Sequence, residues 1–446
     1  MKRVGLLILC LGALCAGLTQ AQPKERTIEE IKTESLARAQ RGAYPLGGLD
    51  PKDVALALSH IQTLDRDEWA AGWSKVAQTY MDQAQAAKSK SEASAAYKKA
   101  WRLYYFAQWP VPNSVGKQGA YDKAIDAYLK HAQVLDPPME VVKIPFEGKT
   151  ITGYLRLPKQ PSGKVPMILA ISGLDSRKET VAESYEQILA HGVGFLAVDG
   201  PGTGQAPLKV NATAERMFSA VLDYLYAHPR VDQQRIIASG VSFGGYWAAK
   251  LAITERARLL GSVAQSPPVD EFFSEKFLRE GTMGNREYLF DLAPAFINVF
   301  EGAQSIDDLA RLMPAMSLKA QNLLSKPTTP MLLVTGVKDT QVPISDIELL
   351  LRTGDVPKEA WINPSGGHLG REPRGWTDPV IFSIIEKNVR VSDMVLGDLN
   401  ALIASCRTSA RELVKLMDET GIDDLRPVSA ELNARTEKVF RRAIEE

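Results

Sequence analysis

The stretch SGVSFGGYW, from Ser239 to Trp247, sets Ser242 between two glycines in the pattern G-x-S-x-G. At average composition this pattern arises by chance in about one chain in seven to ten of this length, so the flanking sequence must show what it means. The residues RIIAS before it favour a strand, and YWAAKLAIT after it favours a helix. A serine at such a strand-to-helix turn is typical of a nucleophile elbow, which exposes the hydroxyl above a sheet.

The glycines around the serine have a steric explanation. The serine backbone is strained in a turn of this kind, and side chains at Gly240 or Gly244 would crowd the adjoining strand and helix. Gly245, the next residue, avoids the same steric crowding. The turn also places the N–H of Phe243 at a helix N-terminus, where it can stabilise a developing oxyanion. We therefore predict Ser242 as a nucleophile and the Phe243 N–H as one oxyanion donor.

Short apolar segments bounded by Gly, Pro or Ser recur along the chain from Met139 onward. They begin with a hairpin pattern and continue as strand-like runs separated by helical patterns: MEVVKIPF and TITGYLRLP, then VPMILAIS, GFLAVDG, RIIASG, LLGSVAQS, PMLLVTG and EAWINPS. Continuous apolar strands that alternate with helices are typical of a mostly parallel sheet covered on both faces. The predicted fold class is therefore α/β.

The histidines give the candidate general base. The sequence has five, at positions 60, 131, 191, 228 and 368. In a fold of this kind the catalytic residues follow the order serine, acid, histidine, and only His368 lies after Ser242. His368 sits in the glycine-rich loop NPSGGHLG, just past the last predicted strand. We predict that His368 takes the proton of Ser242, because a serine hydroxyl is a poor nucleophile without a base.

The acid that orients the histidine should follow the preceding strand. PMLLVTGVKDTQVP supplies Asp339 at that place. A rival, Asp346, is expected in the first turn of the next helix with Ser345 as the N-cap, where a carboxylate suits the helix dipole. Asp270, after an earlier strand, is a further substitute. Placement favours Asp339.

A second oxyanion donor is expected in the loop after the first core strand. ISGLDSRKE lies there, so we predict the Leu174 N–H for this role, with Gly173 allowing close approach. DGPGTG, residues 199–204, superficially resembles a phosphate-binding loop but lacks the terminal Gly-Lys-Ser/Thr. We interpret it as a tight turn that flanks the active site.

Composition narrows the classes of partner. The 446 residues are 45% hydrophobic and 24% charged, typical of a soluble globular protein, with a formal net charge of zero. The chain therefore has no excess of positive charge that would favour binding to nucleic acid or to an anionic membrane surface. Nothing in the sequence predicts a metal or an organic cofactor, and the expected partner is a small-molecule substrate.

The N-terminus predicts export. Lys2 and Arg3 precede an apolar run from Val4 to Leu18, and small residues lead to a cleavage site after Ala21. The run is shorter than the ~20 residues of a membrane-spanning helix. These features predict a cleaved signal peptide and a periplasmic or secreted protein, with no stable membrane insertion after cleavage.

Cysteine usage agrees with a fold held together by its core. Cys10 and Cys15 would be lost with the signal peptide, and the leucines before them argue against a lipoprotein, which remains the alternative. Cys406 alone would be left, which excludes an internal disulfide and a cysteine-based metal cluster.

Helical patterns precede, interrupt and follow the predicted sheet. One helix has an apolar face made by Trp69, Trp73, Val76 and Tyr80, and two more cover Ser91 to Trp109 and Ala120 to Val134. The predicted divisions are a signal peptide (1–21), a helical N-terminal domain (22–136), a catalytic domain (137–391) with a helical insertion at about 268–329, and a C-terminal helical extension (392–446). Candidate pocket walls are Tyr105, Trp109, Phe272 and Phe273.

Taken in order, ISGLDSRKE, VDGPGTG, GVSFGG, TGVKDTQVP and GGH resemble the motifs of the α/β-hydrolase superfamily. The helical N-terminal region and FEGKTITGYLRLP narrow the resemblance to the branch of the FrsA-type esterases and dihydroxypseudooxynicotine hydrolase. It covers about residues 90 to 390 and implies Ser242 as nucleophile, Asp339 as acid and His368 as base. It also implies an active site between the helical domain and the sheet. Ser172 departs from the Gly or His usual in the family, and the signal peptide and C-terminal extension are additional.

The expected activity is hydrolysis of a carboxylic ester through an acyl-enzyme. Hydrolysis of a carbon–carbon bond, as in a β-diketone, or of an amide is the alternative on the same three residues. A non-catalytic binding protein on a hydrolase scaffold is the alternative of another class. The sequence leaves open whether the chain forms a homo-oligomer.

Overall fold

The computed structural model describes residues 26–159, 163–354 and 358–371. The predicted signal peptide (1–21) and C-terminal extension (392–446) lie outside these ranges, as does Cys406. The α-helices are α1 Ile28–Arg41, α2 Pro51–Ser59, α3 Arg66–Ala86, α4 Lys90–Ala107, α5 Val115–Ala132, α6 Lys178–Ser184, α7 Arg216–Ala227, α8 Phe243–Thr254, α9 Glu275–Phe277, α10 Leu292–Val299, α11 Ile306–Leu312 and α12 Ile344–Arg352. The strands are β1 Met139–Phe146, β2 Lys149–Arg156, β3 Val165–Ile171, β4 Gly194–Val198, β5 Val231–Val241, β6 Gly261–Gln265, β7 Met331–Gly336 and β8 Lys358–Asn363. Short 3-10 turns occupy Glu186–His191, Arg256–Arg258, Glu271–Phe273, Met313–Met316 and His368–Gly370, and a π turn occupies Leu278–Thr282.

The first five helices form a layer with an aromatic interior. Helix α3 begins where the Asp65 side chain accepts the N–H groups of the next turn, and its Trp69, Trp73 and Val76 are buried. Tyr80, the fourth residue of the predicted apolar face, is half-buried and donates its hydroxyl to Asp53. The aromatic spacing therefore marks the helix and its buried face correctly, because residues three and four apart share one side of a helix.

The eight strands form one sheet in the order β1-β2-β4-β3-β5-β6-β7-β8. The six strands from β3 to β8 run parallel, whereas β1 and β2 form an antiparallel hairpin whose second strand pairs antiparallel with β4. The predicted mostly parallel sheet is confirmed. Because these strands share a direction, the loops after β3, β5, β7 and β8 meet at one edge, where open α/β sheets bind ligands.

Strand β3 shows why a continuous apolar run folds this way. All seven of its residues are buried. Met167 and Leu169 pack into the cluster that contains α7 and α8, and Ile168 and Ala170 pack into the cluster that contains the N-terminal helical layer. Side chains alternate between the faces of a strand, so a strand covered on both faces needs apolar residues at every position.

A buried charge cluster joins the helical layer to the segment between β6 and β7. The Asp291 carboxylate accepts from the Lys117 ammonium at 2.8 Å, from the Arg66 guanidinium at 2.8 Å and from the Asn113 amide at 2.9 Å. The Lys117 side chain has no exposed surface. Burial would raise the pKa of Asp291, but the hydrogen bond from Arg66 and the charge of Lys117 hold that pKa below its usual value.

We expect Asp291→Asn to lower the free energy of unfolding by about 3 kcal/mol, because it leaves the buried Lys117 ammonium without a counter-charge. Asparagine tolerates the left-handed backbone of this position, where φ is 62°. Chemical denaturation of the two proteins measures the difference. The double variant Lys117→Met with Asp291→Asn should recover most of the loss. A single variant as stable as wild type would show that the ion pair contributes nothing to stability.

Candidate active site

Ser242 lies at the turn between β5 and α8, with φ 54° and ψ −122°. This left-handed conformation is costly for a residue with a side chain. The turn is held by the Ser242 N–H, which donates to the Gln265 carbonyl at 2.7 Å, and by the Tyr246 N–H, which donates to the Ser242 carbonyl at 3.1 Å. A strained serine held on both sides is the geometry of a nucleophile elbow.

The glycines beside Ser242 allow close backbone approach, as the sequence predicts. A Cβ atom at Gly240 would lie 2.1 Å from the Gly244 carbonyl oxygen, and one at Gly244 would lie 2.6 Å from the Ile171 carbonyl oxygen. A Cβ at Gly245 would lie 2.8 Å from the Gln265 carbonyl oxygen. These distances are shorter than real Cβ contacts, so alanine at any of the three would displace backbone.

His368 and Asp339 come together at the end of β7. Imidazole Nδ1 lies 3.0 Å from Asp339 Oδ1 and 2.9 Å from Oδ2. Burial alone would raise the pKa of the Asp339 carboxyl, but the charge and the hydrogen bond of the neighbouring His368 lower it. Hydrogen bonds from the Val342 N–H and the Ser266 hydroxyl add to the effect, so this pKa lies below its usual range. Asp339 is therefore a buried, ionised acceptor facing the imidazole.

The end of β6 connects the serine turn to the histidine loop, and sequence reasoning missed it. Gln265 accepts from the Ser242 N–H through its carbonyl and donates its side-chain amide to the Leu369 carbonyl at 2.6 Å. Ser266 accepts from the Leu369 N–H at 3.0 Å. Both residues are buried. Within the described residues, Ser242 Oγ and the His368 imidazole form no hydrogen bond; such contacts are often long before substrate binds.

A second missed feature is the glycine pair that brings the histidine loop against β7. A Cβ at Gly336 would lie 2.1 Å from the Gly366 carbonyl oxygen. Nearby, the Lys338 N–H donates to that same carbonyl at 2.8 Å and the Val337 N–H donates to the Asn363 carbonyl at 2.9 Å. The signal in the sequence is the glycine that ends the strand PMLLVTG. Its close contact fixes the distance between the acid and base loops.

The loop after β3 carries the predicted second oxyanion donor. Leu174, Ser242 and Phe243 line one cavity, and within the described residues neither the Leu174 N–H nor the Phe243 N–H has a hydrogen-bond acceptor. A Cβ at Gly173 would lie 3.7 Å from the Ser242 Cβ and 3.0 Å from the Val241 carbonyl oxygen, so the loop passes directly beside the serine.

Arg177 ties this loop to the helical layer, which the sequence did not indicate. Its guanidinium donates to the Ser176 carbonyl at 2.7 Å and, across the boundary, to the Gln108 side chain at 3.2 Å and the Pro110 carbonyl at 2.9 Å. The Tyr105 hydroxyl, from α4, donates to a carbonyl of the same loop at 2.8 Å. The N-terminal helices thus hold the backbone that presents the Leu174 N–H.

Ser172, the departure from the family pattern, has a structural role. Its hydroxyl accepts from the Gly200 N–H at 2.9 Å and lies 3.2 Å from the Thr203 hydroxyl. This bond anchors the DGPGTG turn next to the serine loop. The Asp199 carboxylate accepts from the Lys178 N–H at 2.8 Å and the Gln205 N–H at 2.9 Å. The DGPGTG turn therefore supports the loop of Ser172, and its Asp199 carboxylate is occupied by hydrogen bonds within the protein.

The two rival acids bind elsewhere. Asp270 accepts from the Ser317 hydroxyl. Asp346 lies in the first turn of α12, as predicted, and its carboxylate accepts four successive backbone N–H groups, those of residues 269 to 272, at 2.7 to 3.3 Å. The predicted N-cap, Ser345, is wrong: the helix begins at Ile344 after Pro343, and Ser345 donates its hydroxyl to Glu271. The carboxylate serves the neighbouring loop, not the start of its own helix.

We expect Asp346→Asn to destabilise the fold, because each of the two carboxyl oxygens accepts two of the four N–H groups, whereas an amide has only one oxygen and would turn its NH₂ toward the other two. A protonated carboxyl keeps acceptor capacity on both oxygens, so this advantage over asparagine does not require the ionised form. Burial raises the pKa of Asp346 to about 6. Since this lies above the usual carboxyl value of 3.8, the folded state binds the proton more tightly than the unfolded chain. The resulting stability is greatest below about pH 4 and is lost as pH rises through about 6.

The stability advantage of wild type over Asp346→Asn should therefore shrink by on the order of 2 kcal/mol between pH 4 and pH 7. Urea denaturation of both proteins at the two pH values measures it, and taking the difference between variants removes the titration of every other group. An advantage that grows with pH would contradict this account.

The cavity at Ser242 is mostly apolar and encloses about 360 Å³, including its opening to solvent. It is lined by Leu174, Ser242, Phe243, Phe272, Thr282, Asn285, Tyr288, Leu292, Phe296, Gln341 and Val342. Of the four predicted walls only Phe272 is among them; the wall also includes residues of the segment between β6 and β7. Phe273 instead packs on Tyr246 and Trp109 packs on Tyr288, so these two are one layer further out.

The part of the chain that the structure describes has no group of three His, Cys, Asp or Glu residues placed to hold a metal ion. In the same residues, no helix combines the length and apolarity needed to cross a membrane.

Comparisons with known proteins identify the family of the chain. A family model described as esterase FrsA-like matches residues 60–360, and one described as hydantoinase B/oxoprolinase matches residues 371–446. The chain is 29% identical over 252 residues to an α/β hydrolase, xenA, of Xenoacremonium sinensis, covering 52% of this chain and 58% of that protein. It is 26% identical over 364 residues to the esterase FrsA of Vibrio parahaemolyticus, covering 75% of this chain and 85% of that one.

Among solved structures, that of 2,6-dihydroxy-pseudo-oxynicotine hydrolase is similar, with a TM-score of 0.66 and 20% identity, covering 77% of this chain and 94% of that chain. This similarity shows the α/β-hydrolase fold. The FrsA-like match spans more than half of the 446 residues. The chain is a hydrolase that belongs to the FrsA-like esterase family.

Proposed function

We propose that this protein is a serine hydrolase that cleaves a carboxylic ester through an acyl-enzyme, with Ser242 as nucleophile, His368 as general base and acid, and Asp339 as the residue that orients the imidazole. The observation that carries the proposal is the hydrogen bond of His368 Nδ1 to the buried Asp339 carboxylate, on a loop that Gln265 joins to the Ser242 turn. Serine, histidine and aspartate are the residue types of a nucleophilic triad, and here they follow β5, β8 and β7, parallel strands whose carboxyl ends lie at one edge of the sheet.

The orientation of the imidazole supports this assignment. A carboxylate can only accept a hydrogen bond, so Asp339 holds the proton of His368 on Nδ1. The lone pair on Nε2 is then available to take the Ser242 proton as Oγ attacks the substrate carbonyl. The imidazolium that forms is stabilised by the ionised Asp339 and returns its proton to the leaving alcohol.

Charge that develops on the carbonyl oxygen would be stabilised by the N–H groups of Phe243 and Leu174. Both are without an internal acceptor within the described residues and line the cavity with Ser242. Preorganised donors of this kind act without reorganisation during the reaction. Water then repeats the attack on the acyl-enzyme, with His368 as base, and the acid product leaves.

Hydrolysis of a carbon–carbon bond is the second candidate, because the branch that the sequence motifs resemble includes a hydrolase of that type, and a structural neighbour is named as a hydrolase of a pseudo-oxynicotine. In that reaction the same serine would attack a ketone, and a stabilised carbanion would replace the alcohol as leaving group. Hydrolysis of an amide would use the same three residues. A binding protein without activity is disfavoured by the intact Asp339–His368 pair.

Steady-state hydrolysis of p-nitrophenyl esters of increasing chain length, with a β-diketone as the competing substrate, tests the proposal. Wild type should hydrolyse at least one ester with a kcat that Ser242→Ala abolishes. Activity on the diketone alone would favour the carbon–carbon alternative. Folded wild-type protein without activity on either class would contradict the enzyme mechanism.

Export is proposed from the sequence alone, with cleavage after Ala21. Amino-terminal sequencing of the protein recovered outside the cytoplasm should give a chain that starts at Gln22. Recovery of the uncut chain from the cytoplasm would contradict it.

A further inference from the structure

The cavity beside Ser242 has a wall without charge. Within the described residues its lining contains no lysine, arginine, histidine, aspartate or glutamate. A charged group that entered would lose its hydration and gain no counter-charge, which is strongly unfavourable in an apolar site. Six of the lining residues are aliphatic or phenylalanine: Leu174, Phe243, Phe272, Leu292, Phe296 and Val342. The wall therefore favours an uncharged, mainly apolar group.

The polar side chains of the wall do not change this conclusion. The Asn285 amide donates to the Thr340 carbonyl at 2.7 Å, and its oxygen accepts from the Glu287 N–H at 2.8 Å. The Gln341 amide donates to the Glu287 carboxylate at 2.8 Å. Removal of the partly buried Tyr288 from water raises the pKa of its hydroxyl, which therefore stays neutral. The two amides are occupied within the protein, and none of these groups offers a charge to a ligand.

The position of the cavity relative to His368 indicates which part of an ester it holds. Leu174 and Phe243, the proposed oxyanion donors, line the cavity together with Ser242, whereas neither His368 nor any other described residue of its loop, 364–371, does. The leaving alcohol must lie against His368, because the imidazole returns its proton to that oxygen. The acyl chain extends from the other side of the carbonyl carbon. The cavity is therefore placed to hold the acyl chain.

The segment between β6 and β7 supplies more than half of the lining residues, including Phe272, Leu292 and Phe296. The centre of the Phe272 ring lies 6.4 Å from that of Phe243 and 6.4 Å from that of Phe296, so these rings pack together. Leu292 is the first residue of α10 and is only partly buried. A long side chain at this position can keep its polar end hydrated while its stem packs on the wall. Leu292 is thus the place where a charge can be introduced.

We propose that this cavity is the acyl-binding pocket and that it selects an uncharged, mainly apolar acyl group, with Phe272, Leu292 and Phe296 as specificity-determining residues. The substrate class is an ester of an uncharged aliphatic or aromatic carboxylic acid. The volume of about 360 Å³, which includes the opening to solvent, lies near the lower end of the about 300 to 1,000 Å³ typical of ligand pockets. This inference rests on the proposed ester hydrolysis at Ser242.

The test compares p-nitrophenyl esters that share a leaving group and differ by one charge. The neutral 6-methylheptanoate is paired with the monoester of adipate, in which a carboxylate replaces the isopropyl end. The neutral 7,7-dimethyloctanoate is paired with 6-(trimethylammonio)hexanoate, in which a cationic nitrogen replaces the quaternary carbon. In wild type kcat/KM for the neutral ester of each pair should exceed that for the charged ester by about tenfold or more, because the charge is desolvated without a partner.

Leu292→Lys should change this selection, because it places an ammonium group at the wall. The ratio of kcat/KM for adipate to that for 6-methylheptanoate should rise by about tenfold relative to wild type, and the ratio for the cationic pair should fall. Intrinsic ester reactivity cancels between variants. Leu312→Lys is the matched control, since Leu312 is an exposed leucine of the same segment that does not line the cavity. Both of its ratios should stay within about twofold of wild type.

A wild type that hydrolyses the charged and neutral esters of both pairs equally well would overturn the inference, while Ser242-dependent hydrolysis would leave the proposed function standing. Ratios that a folded Leu292→Lys leaves unchanged would show that this cavity is not the acyl-binding pocket. If Leu292→Lys does not fold, as judged by thermal unfolding, Leu292→Trp decides: by filling the cavity it must lower kcat/KM for 6-methylheptanoate relative to that for p-nitrophenyl acetate. Absence of ester hydrolysis in folded wild type would overturn both proposals.

Discussion

Replacing Ser242 or His368 by alanine is expected to lower kcat for ester hydrolysis by about 10⁴-fold or more, and the double variant should be no slower than the slower single variant. The reason is that each residue acts only through the other: without the base Oγ keeps its proton, and without Oγ the base has no proton to take. Steady-state kinetics of the three variants on one p-nitrophenyl ester measure the effect. The residual rate reports binding and the oxyanion donors alone.

Multiplicative losses in the double variant would show that Ser242 and His368 act independently, which the proposed mechanism does not allow. Gly119→Ala is a suitable surface control, since no atom lies within 4 Å of the Cβ it would add. Each variant should unfold at a temperature close to that of wild type. A catalytic loss accompanied by loss of the fold would not support the mechanism.

Asp339→Asn is expected to lower kcat by about 10³- to 10⁴-fold with little change in structure. Asp339 Oδ1 accepts the N–H groups of Gln341 and Val342 at 2.9 and 3.0 Å. An asparagine would keep its oxygen there and turn its NH₂ toward His368 Nδ1. The imidazole would then accept at Nδ1 and carry its proton on Nε2, where it cannot take the proton of Ser242.

The kinetic signature separates this effect from general damage. The loss should appear in kcat, with KM changed by less than about tenfold, because the cavity wall at Leu174, Phe272 and Thr282 is untouched. Asp346→Asn provides the matched control, an identical substitution of a nearby buried carboxylate outside the proposed triad. If Asp346→Asn lost as much kcat as Asp339→Asn while remaining folded, Asp346 would have to be part of the catalytic machinery.

The strands and the residues of the candidate triad could be predicted from the sequence, and the physical reasons can be named. Apolar runs such as VPMILAI are uninterrupted because both faces of the sheet are covered, so each strand could be found without knowing its neighbours. Ser242 could be located because its strained turn requires glycines at fixed offsets. His368 could be selected because it is the only histidine after Ser242 in the chain.

The features that escaped prediction depend on contacts distant in sequence. Gln265 and Ser266 have no motif, and their role follows from β6 lying between β5 and β7. Arg177 resembles an exposed loop residue until the helical layer covers it. Ser345 was expected to cap α12 but is its second residue, because the helix begins at Ile344, directly after Pro343.

The main feature that only the structure reveals is the contact between the N-terminal helical layer and the loop of Leu174. Arg177 and Tyr105 connect the loop of Leu174 to residues of the N-terminal helices, so the oxyanion donor and the helical layer form one packed unit. The family resemblance placed the active site between these two parts. The contacts indicate that the helices help to set the position of the Leu174 N–H, although none of the described residues that line the cavity belongs to them.

Covalent labelling with a fluorophosphonate, followed by mass-spectrometric identification of the modified peptide, tests the central claim most directly. A serine activated by His368 should react in folded wild type, with the adduct on Ser242, and labelling should be lost in Ser242→Ala and strongly slowed in His368→Ala. Folded wild-type protein that stays unlabelled, or an adduct on a residue other than Ser242, would contradict the assignment of Ser242 as the nucleophile.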